Sequence, residues 1–538
     1  MAVICRNYWT GDDAYISFRT LDQLFAGNGP RWNLVDRVQV YTSPLWFWLM
    51  ALSRLVIRDV YLNAMLLSLL LMAATTVMAL RRITNPAVAT AFFASLLLSN
   101  AFMDYTGSGL EYPLIYLLVT AFFLRFAQTA SREPEASETT GLMLIAGLGL
   151  VTRHDLLLLF IMPVAYLLLC RSRRRLLDAA VFIAPLSIWT TFSLIYYGLA
   201  FPNTAYAKLY LDVPRWQLLE QGLMFFYRTI QKDIFTLLLI AAGTALLLRQ
   251  KENLSLRLTG LSIALSCGYI LWIGADFMAG RFFAPLFLVT AIGLSVHASQ
   301  SDFLQTMRSQ HRKILATFAV VAFVAYGAFY PHTPLNSPKV YEQVVVEHGI
   351  SDERGFYSGA TSIWRYIDNE KPYFPVHNVV LEALLLRDQD PATPASQTPP
   401  IRMAIGIFGY TAPLDTLILD VVALPDVFRS RMPRAGDDWS VGHTGRDIPG
   451  WYIESLRAGR GLMTHDPALN EYFSIVSLLN QSEDLFAQER LLAIARFNLG
   501  HYEHLLHEAT TLNWRARNEA YNEACTHAWR HGKNPFEL

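Results

Sequence analysis

The sequence has few charged residues, and its net charge is zero. Only 16% of its 538 residues are charged, whereas about a quarter are charged in an average soluble domain. Because 44 acidic residues balance 44 basic ones, no global field favours binding to nucleic acid. The shortage of charge indicates that lipid is the solvent for part of the chain.

Cysteine is also scarce, and familiar short motifs are missing. The four cysteines form no CxxC pair, so neither a zinc site nor a disulfide framework is supported. No GxxxxGK[ST] loop is present, which argues against an ATP-driven pump. The first ten residues contain no apolar core of the length that a signal peptide needs.

Apolar blocks dominate the middle of the chain, and 53% of all residues are hydrophobic. A helix needs about 20 apolar residues to cross the hydrocarbon of a bilayer. Ten candidate spans are predicted, at residues 60–80, 87–103, 112–128, 140–152, 155–170, 177–197, 233–249, 256–274, 282–298 and 314–330. The fourth and fifth are the shortest, and a hairpin that does not fully cross would also fit them.

The charges of the loops predict an orientation for these spans. Alternate loops carry clusters of arginine and lysine, which marks them as cytoplasmic by the positive-inside rule. Three domains follow: a first periplasmic loop with interfacial helices at 1–58, a transmembrane helical domain at 59–330, and a periplasmic soluble α/β domain with a helical C-terminal part at 331–538. A start outside the cytoplasm lacks a delivery route, so we expect one further span before Trp9.

Two adjacent carboxylates, Asp12 and Asp13, open the first outer segment. One could face a site while the other braces it, but an aspartate before a helix is also a common N-cap. The tryptophan-rich residues 37–48 fit either an interfacial helix or the aromatic belt of a span.

Further ionisable residues fall on the same predicted outer face. Glu111 follows a Gly-Ser-Gly turn. Arg153, His154 and Asp155 lie between two short spans, where charges are costly and usually functional, although His154 alone could be a packed neutral residue.

Two more outer loops complete the pattern. The first contains Asn203 and Lys208, and a lysine suits phosphate as a compact charge. The second contains Asp276 and Arg281, which could equally form a structural ion pair. Together, these loops predict a cavity that contains carboxylates able to act as a general base and cations able to bind a phosphate.

The same segments resemble a known enzyme family. The motifs are DDAYISFR from Asp12, YTSPLW from Tyr41, PNT with Lys208, the GADFMAGRF segment around Asp276, and VGHTGRDIPGWYIES with His443 and Arg446. They look like polyprenyl-phosphate-dependent glycosyltransferases of the GT-C type, and most like the terminal arabinofuranosyltransferases of mycobacterial cell-wall synthesis. The resemblance extends from residue 11 to about 455.

The resemblance implies a GT-C-like multi-spanning α-helical membrane protein with about ten visible spans and a C-terminal soluble α/β domain. It implies an inner-membrane enzyme that transfers arabinofuranose or a related pentose from a polyprenyl-phosphate donor to a periplasmic glycan or glycoprotein. A catalytic aspartate then falls on Asp12 or Asp13. Ala275 departs from the glycine of many relatives, and the tail beyond residue 480 is unassigned.

The chemistry of the loops and the family resemblance together predict roles for the remaining residues. Lys208, Arg281 and Arg153 are predicted to contact the donor phosphate. The predicted substrate-binding residues are Glu111, His154, Asp155, Asp276, Tyr41, Asn203, His443 and Arg446. A divalent cation near the paired aspartates is possible, but no ligand spacing requires one. The alternative function is a transporter or flippase for a lipid-linked sugar, whose polar groups should lie near the bilayer midplane.

Overall fold

The computed structural model describes residues 1–130, 132–209, 213–300, 321–330, 333–341, 346–369, 373–388, 399–434, 439–458, 461, 464 and 466–508. Within these residues the chain is mostly helical. Three helices precede the first apolar block: α1 (Ala2–Arg6), α2 (Asp12–Phe25) and α3 (Pro44–Arg54).

A bundle of apolar helices follows. Its members are α4 (Val60–Arg82), α5 (Pro86–Leu98), α6 (Asn100–Thr106), α7 (Tyr112–Thr129), α8 (Ala136–Thr152), α9 (His154–Arg171), α10 (Arg175–Tyr197), α12 (Arg215–Leu248), α13 (Leu254–Ile273) and α14 (Phe283–Gln300), with the short α11 (Asn203–Leu209) between α10 and α12. In the described residues, seven of these helices are long and apolar enough to cross a membrane, or eight if the bent pair α5–α6 is one span.

The prediction of a multi-spanning helical membrane protein is therefore confirmed, while the number of ten spans stays a prediction. The fourth predicted span is the 17-residue helix α8, which is shorter than the others. Residues 314–320 of the tenth lie outside the described residues, and 321–329 are helical. Helix α12 begins at Arg215, well before residue 233, where its span is predicted to start, so the end of the preceding loop is helical.

Helix α7 lies at the centre of the bundle. Of its 18-residue window 83% is buried, against 11% for α10. It packs against α4, α8 and α14. A helix that is apolar on all sides belongs in such a position, whereas α10 presents most of its surface to the bilayer.

The second predicted span is broken rather than straight. Helices α5 and α6 meet at 76°, where Ser99 leaves the helical conformation and its hydroxyl accepts from the Phe102 N–H at 3.1 Å. Asp233, at a kink in α12, accepts from the Ala101 N–H at 2.8 Å. The side chains thus satisfy amides that the break leaves open, and α6 runs across one end of the bundle.

The described residues beyond 330 contain mostly helices with very short strands. The helices are α15 (Glu353–Thr361), α16 (Ile363–Asp368), α17 (Asn378–Leu385), α18 (Gly406–Thr411), α19 (Gly450–Ala458), α20 (Pro467–Asn480), α21 (Gln488–Asn498) and α22 (Glu503–Glu508). Strands β1 (Val346–Glu347) and β2 (Ile350–Ser351) pair antiparallel, and β3 (Ile401–Arg402) and β4 (Leu419–Asp420) pair parallel.

One stretch with local β propensity forms a helix instead. The stretch RMAIGIFGY looks β-rich, but only its first residue continues β3, and residues 406–411 form α18. The cause is a tertiary contact: a distant carboxylate, that of Asp12, satisfies the first amides of this helix. Local β propensity is overridden in this way when packing favours another conformation.

The N-terminal segment and the residues beyond 330 pack against each other. The fully buried Arg19 of α2 donates hydrogen bonds to the carbonyl oxygens of Ala412, Pro413, Leu414 and Thr416 at 3.0–3.3 Å. Asn33 bonds to the backbone of Ile418 in both directions. The two segments that were predicted to lie outside the membrane therefore share one interface, although the domain boundaries at 58 and 330 stay predictions.

A buried ionic network ties this interface to the bundle. Lys232 of α12 lies 3.2 Å from Asp104 of α6 and 2.5 Å from Asp352. Arg354 of α15 lies 3.0 Å from Asp104 and also donates to Asn7. Buried charges require such partners, because removing one leaves another charge desolvated and unpaired.

We predict that Arg354→Met destabilises the protein by about 3 kcal/mol. The substitution removes the cation from Asp104 while it keeps a side chain of similar length. The measurement is thermal unfolding of the detergent-solubilised protein. Arg173→Met is the matched control, since Arg173 and Glu133 form a pair with 71% and 84% exposed side chains and should contribute less than about 0.5 kcal/mol. Equal shifts for the two variants would contradict a structural role for the network.

Candidate active site

The first turn of α2 is held by a pair of neighbouring backbone segments. The Trp9 N–H donates to the Gly107 carbonyl at 2.9 Å, and the Gly11 N–H donates to the Ser108 carbonyl at 3.1 Å. On the other side, the Thr361 hydroxyl of α15 donates to the Thr10 carbonyl at 2.7 Å. The Gly-Ser-Gly turn therefore has a role that the sequence did not reveal: it fixes the segment that leads into the two aspartates.

Asp12 is a buried hydrogen-bond acceptor. Its two carboxylate oxygens accept from the N–H groups of Gly406 at 2.8 Å and Ile407 at 2.7 Å, at the start of α18. Burial raises the pKa of Asp12 to about 6, and these two amide hydrogen bonds oppose the rise. The N-cap of α2 itself is Gly11. Asp12 thus caps a helix, but one almost 400 residues further along the chain.

Asp13 points to a different environment from that of its neighbour. Its side chain is 27% exposed, and its Oδ2 lies 3.9 Å from Nη1 of Arg281. Both aspartates line a pocket, together with two other predicted site residues, Lys208 and His443. Because both carboxylate oxygens of Asp12 accept hydrogen bonds from backbone amides, Asp13 is the better placed of the two aspartates to contact a substrate.

Arg281 connects Asp13 to the loop that precedes α14. Its Nη1 lies 3.2 Å from Asp276 Oδ2, and its Nε donates to the Tyr112 hydroxyl at 3.2 Å. The Asp276–Arg281 ion pair that the sequence left as a structural alternative is therefore present. This pair does not use all the nitrogen atoms of Arg281, because its Nη2 also lies 3.8 Å from Oε1 of Glu111.

Arg153 forms the next link of the same ionic chain. It makes two parallel hydrogen bonds to Asp155, at 2.9 and 3.1 Å, and a third to Glu111 at 3.1 Å. Its guanidinium group lies over the ring of Phe282 at 5.3 Å. The structure thus brings together five predicted residues from three outer loops, with Glu111 bridging the two arginines.

Lys208 and His443 approach the pocket around one aromatic ring. The Lys208 ammonium lies 5.1 Å from the centre of the Phe277 ring, and the His443 ring meets Phe277 edge-on at 4.2 Å. A Cβ atom on Gly442 would lie 2.5 Å from that ring, so only glycine allows this approach. Burial, together with the charge of Lys208, lowers the pKa of His443 well below its usual value, which keeps the imidazole neutral.

Besides the five residues of the ionic chain, four more predicted residues lie away from the pocket lining. The Tyr41 hydroxyl is 2.9 Å from that of Tyr197. The Asn203 amide donates to the carbonyls of residues 423 and 424 and accepts from Ser430. Arg446 is fully buried and donates to the Ala207 carbonyl at 3.1 Å. The His154 ring packs edge-on against Phe201. These contacts shape the walls behind the site.

Two curated proteins are similar to this chain, and both bear the name terminal beta-(1->2)-arabinofuranosyltransferase. The protein from Corynebacterium glutamicum is 30% identical over 332 residues, which cover 52% of this chain and 47% of that protein. The protein from Mycobacterium tuberculosis is 27% identical over 407 residues, which cover 66% of this chain and 63% of that protein. The resemblance inferred from the motifs is confirmed.

The chain spans about half to three-fifths of the length of these relatives. No family model matches it, and no solved structure matches it. The similarity therefore supports the family resemblance that the motifs indicate, while the role of each side chain has to be inferred from the geometry.

One acidic residue of the pocket, Glu353, was not predicted from the sequence. Glu353, the first residue of α15, lines the pocket beside the aspartates, as does Tyr357 one turn later. A signal was available, because Asp352-Glu353 repeats the pattern of Asp12-Asp13. In both pairs the first acid caps a helix and the second lines the pocket: Asp352 accepts from the Gly355 N–H at 3.1 Å.

The sequence did not decide whether a divalent cation binds near the paired aspartates. Within the described ranges, no group of three or more histidine, cysteine, aspartate or glutamate side chains has an arrangement that could hold a metal ion.

We predict that Gly406→Ala disrupts the site. The added Cβ would lie 1.9 Å from the Asp12 carbonyl oxygen and 2.7 Å from its carboxylate, so the cap on α18 must break. The unfolding free energy should fall by about 2 kcal/mol or more, since a buried carboxylate loses its partners. Thermal unfolding measures this.

Gly141→Ala is the matched control for that variant. Gly141 lies within α8, and nothing approaches within 4 Å of the Cβ that alanine would add. Because alanine favours a helix interior over glycine, this variant should be as stable as the natural protein or more so. An equally stable Gly406→Ala protein would refute the tight contact.

Proposed function

We propose that the protein is a membrane glycosyltransferase that moves a sugar from a polyprenyl-phosphate donor to an acceptor hydroxyl. The observation that carries this proposal is Asp13, a partly exposed carboxylate in a pocket that also holds Lys208 and contacts Arg281. The two similar proteins, both named as arabinofuranosyltransferases, support the reaction class.

The position of the pocket favours an enzyme over a transporter. Every described residue that lines it lies outside the candidate membrane spans. A transporter would place its polar groups near the bilayer midplane, in broken helices. Here the polar residues instead gather where loops 107–111, 152–155 and 274–282 meet at one end of the bundle, next to the interface where a lipid phosphate would lie.

Two cations in this region suit the donor phosphate. Lys208 makes no ion pair within 4 Å with an acidic side chain among the described residues, and its ammonium group lies over the Phe277 ring. Arg281 is held by Asp276 but still presents Nη1 towards Asp13. Arg153 is more fully neutralised by Asp155 and Glu111, so its part is to hold the network in place.

The reaction then needs few protein groups, because the donor is already activated. The acceptor oxygen attacks the anomeric carbon, and Asp13 takes the proton of the acceptor hydroxyl. The bond between the anomeric carbon and the phosphate oxygen breaks, and the electron pair leaves with the lipid phosphate, where Lys208 and Arg281 stabilise the charge. Positioning of the two substrates accounts for the rest of the acceleration.

The finer assignments follow the motif resemblance. We propose that the sugar is arabinofuranose or a related pentose, and that the acceptor is a periplasmic glycan or glycoprotein. The basic loops favour an inner-membrane protein with its pocket on the periplasmic side. In this arrangement α15 and residues 403–405, which belong to the proposed C-terminal domain, close one side of the pocket over the acceptor.

The proposed function is tested with purified protein in lipid vesicles. Synthetic polyprenyl-phosphate arabinofuranose with a radiolabelled sugar is supplied together with an arabinan oligosaccharide, and a matched hexose donor is tested in parallel. Transfer of label to the oligosaccharide supports the proposal. Label that crosses the vesicle membrane unaltered, with no product, would support the transporter instead.

We predict that Asp13→Asn lowers the transfer rate by about 10²–10⁴-fold, since it removes the general base, and leaves thermal unfolding unchanged. Asp12→Asn should also lower the transfer rate, but with a lower unfolding temperature, because an amide cannot accept from both N–H groups of α18. The exposed Asp368→Asn is the control and should behave as the natural protein. Full activity in Asp13→Asn would overturn the assignment of the base.

A further inference from the structure

Glu353 is fixed in the pocket by the strand that precedes it. The Ser351 N–H donates to the Phe277 carbonyl at 2.7 Å, and the Ala279 N–H donates to the Ser351 carbonyl at 2.9 Å. Asp352 then caps α15 and pairs with Lys232. These contacts attach the start of α15 to the loop that carries Asp276 and Arg281, so the placement of Glu353 is tied to that of the ionic chain.

The carboxyl group of Glu353 is buried and incompletely bonded. The residue is 3% exposed, and its Oε1 has no hydrogen-bond partner among the described residues. Among those residues it also forms no ion pair within 4 Å, unlike Glu111, Asp155 and Asp276, which all pair with arginine. A buried polar atom without a partner is costly, so its presence in the lining of a polar pocket calls for a ligand.

The surroundings of Glu353 favour its neutral form. Burial, followed by the negative charge of Asp13, raises the pKa of Glu353 well above its usual value. The other acids near it are Asp12 and Asp276. Tyr357 and Tyr105 also face the carboxyl group, while Lys208 and the neutral His443 line the same pocket. Two adjacent carboxyl groups share a pocket more easily when one of them keeps its proton.

The geometry points to Glu353 as a second substrate-contacting carboxyl group, which is protonated in the resting pocket and donates a hydrogen bond to an oxygen of the transferred sugar or of the acceptor. This inference rests on the proposed function and extends it. The two acids then have separate tasks: Asp13 accepts a proton, and Glu353 holds its own proton and binds. A division of this kind is expected where the environments of two carboxyl groups differ.

The protonation state can be tested without any substrate. Infrared spectra of the purified protein in light and heavy water are compared with those of Glu353→Gln at neutral pH. The natural protein should show the C=O stretching band of protonated, buried carboxyl groups, and Glu353→Gln should lose the part of this band that Glu353 contributes. Glu454→Gln, which alters an exposed glutamate, should keep the band. The same spectrum in the natural protein and in Glu353→Gln would overturn the inference.

The contact with substrate is tested by transfer assays. Glu353→Gln keeps a neutral hydrogen-bond donor and should retain activity within about threefold, whereas Glu353→Ala should lose about tenfold or more, as expected for one lost hydrogen bond. With rising pH, the natural protein should lose activity as Glu353 loses its proton. In Glu353→Gln this alkaline loss should move to higher pH. Thermal unfolding checks that both variants are folded.

The outcomes separate this inference from the proposed function. If Glu353→Gln is as inactive as Glu353→Ala, or if its alkaline loss is unchanged, the neutral donor role is wrong even though the natural protein transfers sugar. If the natural protein transfers no sugar from any lipid phosphate, the proposed function fails, and the infrared spectra still decide whether Glu353 is protonated. Should Glu353→Ala not fold, Glu353→Gln and its pH profile decide.

Discussion

The two hydrogen bonds that Asp12 accepts from the amides of Gly406 and Ile407 connect the first segment of the chain to a helix almost 400 residues away. They start α18 where the local sequence favours a strand, and they require glycine at position 406. They also occupy the carboxylate of Asp12, whereas the partly exposed carboxylate of Asp13 lies beside Arg281 in the same pocket. This contact holds the interface together with those of Arg19 and Asn33, and it gives the two aspartates different roles.

A second constraint is that charges at the end of a membrane bundle must be paired. The structure meets it with a chain from Asp155 through Arg153, Glu111 and Arg281 to Asp276. Each arginine is held in a fixed position by carboxylates, while the ammonium group of Lys208 lies over the ring of Phe277. A rigid wall of paired charges with the Lys208 ammonium beside it suits a phosphate, and the need for pairing explains why the ionisable residues of several loops converge.

Much of the bundle could be predicted from the sequence, because apolar runs of span length have few alternative structures. The proximity of Asp13 and Lys208 in one pocket, and of Asp13 to Arg281, could be predicted because each residue lies in a polar segment outside the apolar spans. The cap on α18 and the role of Glu353 were not, since both depend on contacts between segments that are far apart in the chain. Asn203 and Arg446 looked equally polar in sequence, yet their hydrogen bonds hold backbone carbonyls instead of facing the pocket.

The most direct test of this account is an experimental structure with a donor analogue bound. A polyprenyl phosphonate sugar, in which carbon replaces the labile oxygen, cannot be transferred and should remain in the site. The account predicts the phosphonate within hydrogen-bond distance of Lys208 or Arg281, with the anomeric carbon facing Asp13 and a sugar oxygen next to Glu353. An analogue bound between the helices near the bilayer midplane, with the pocket empty, would contradict it.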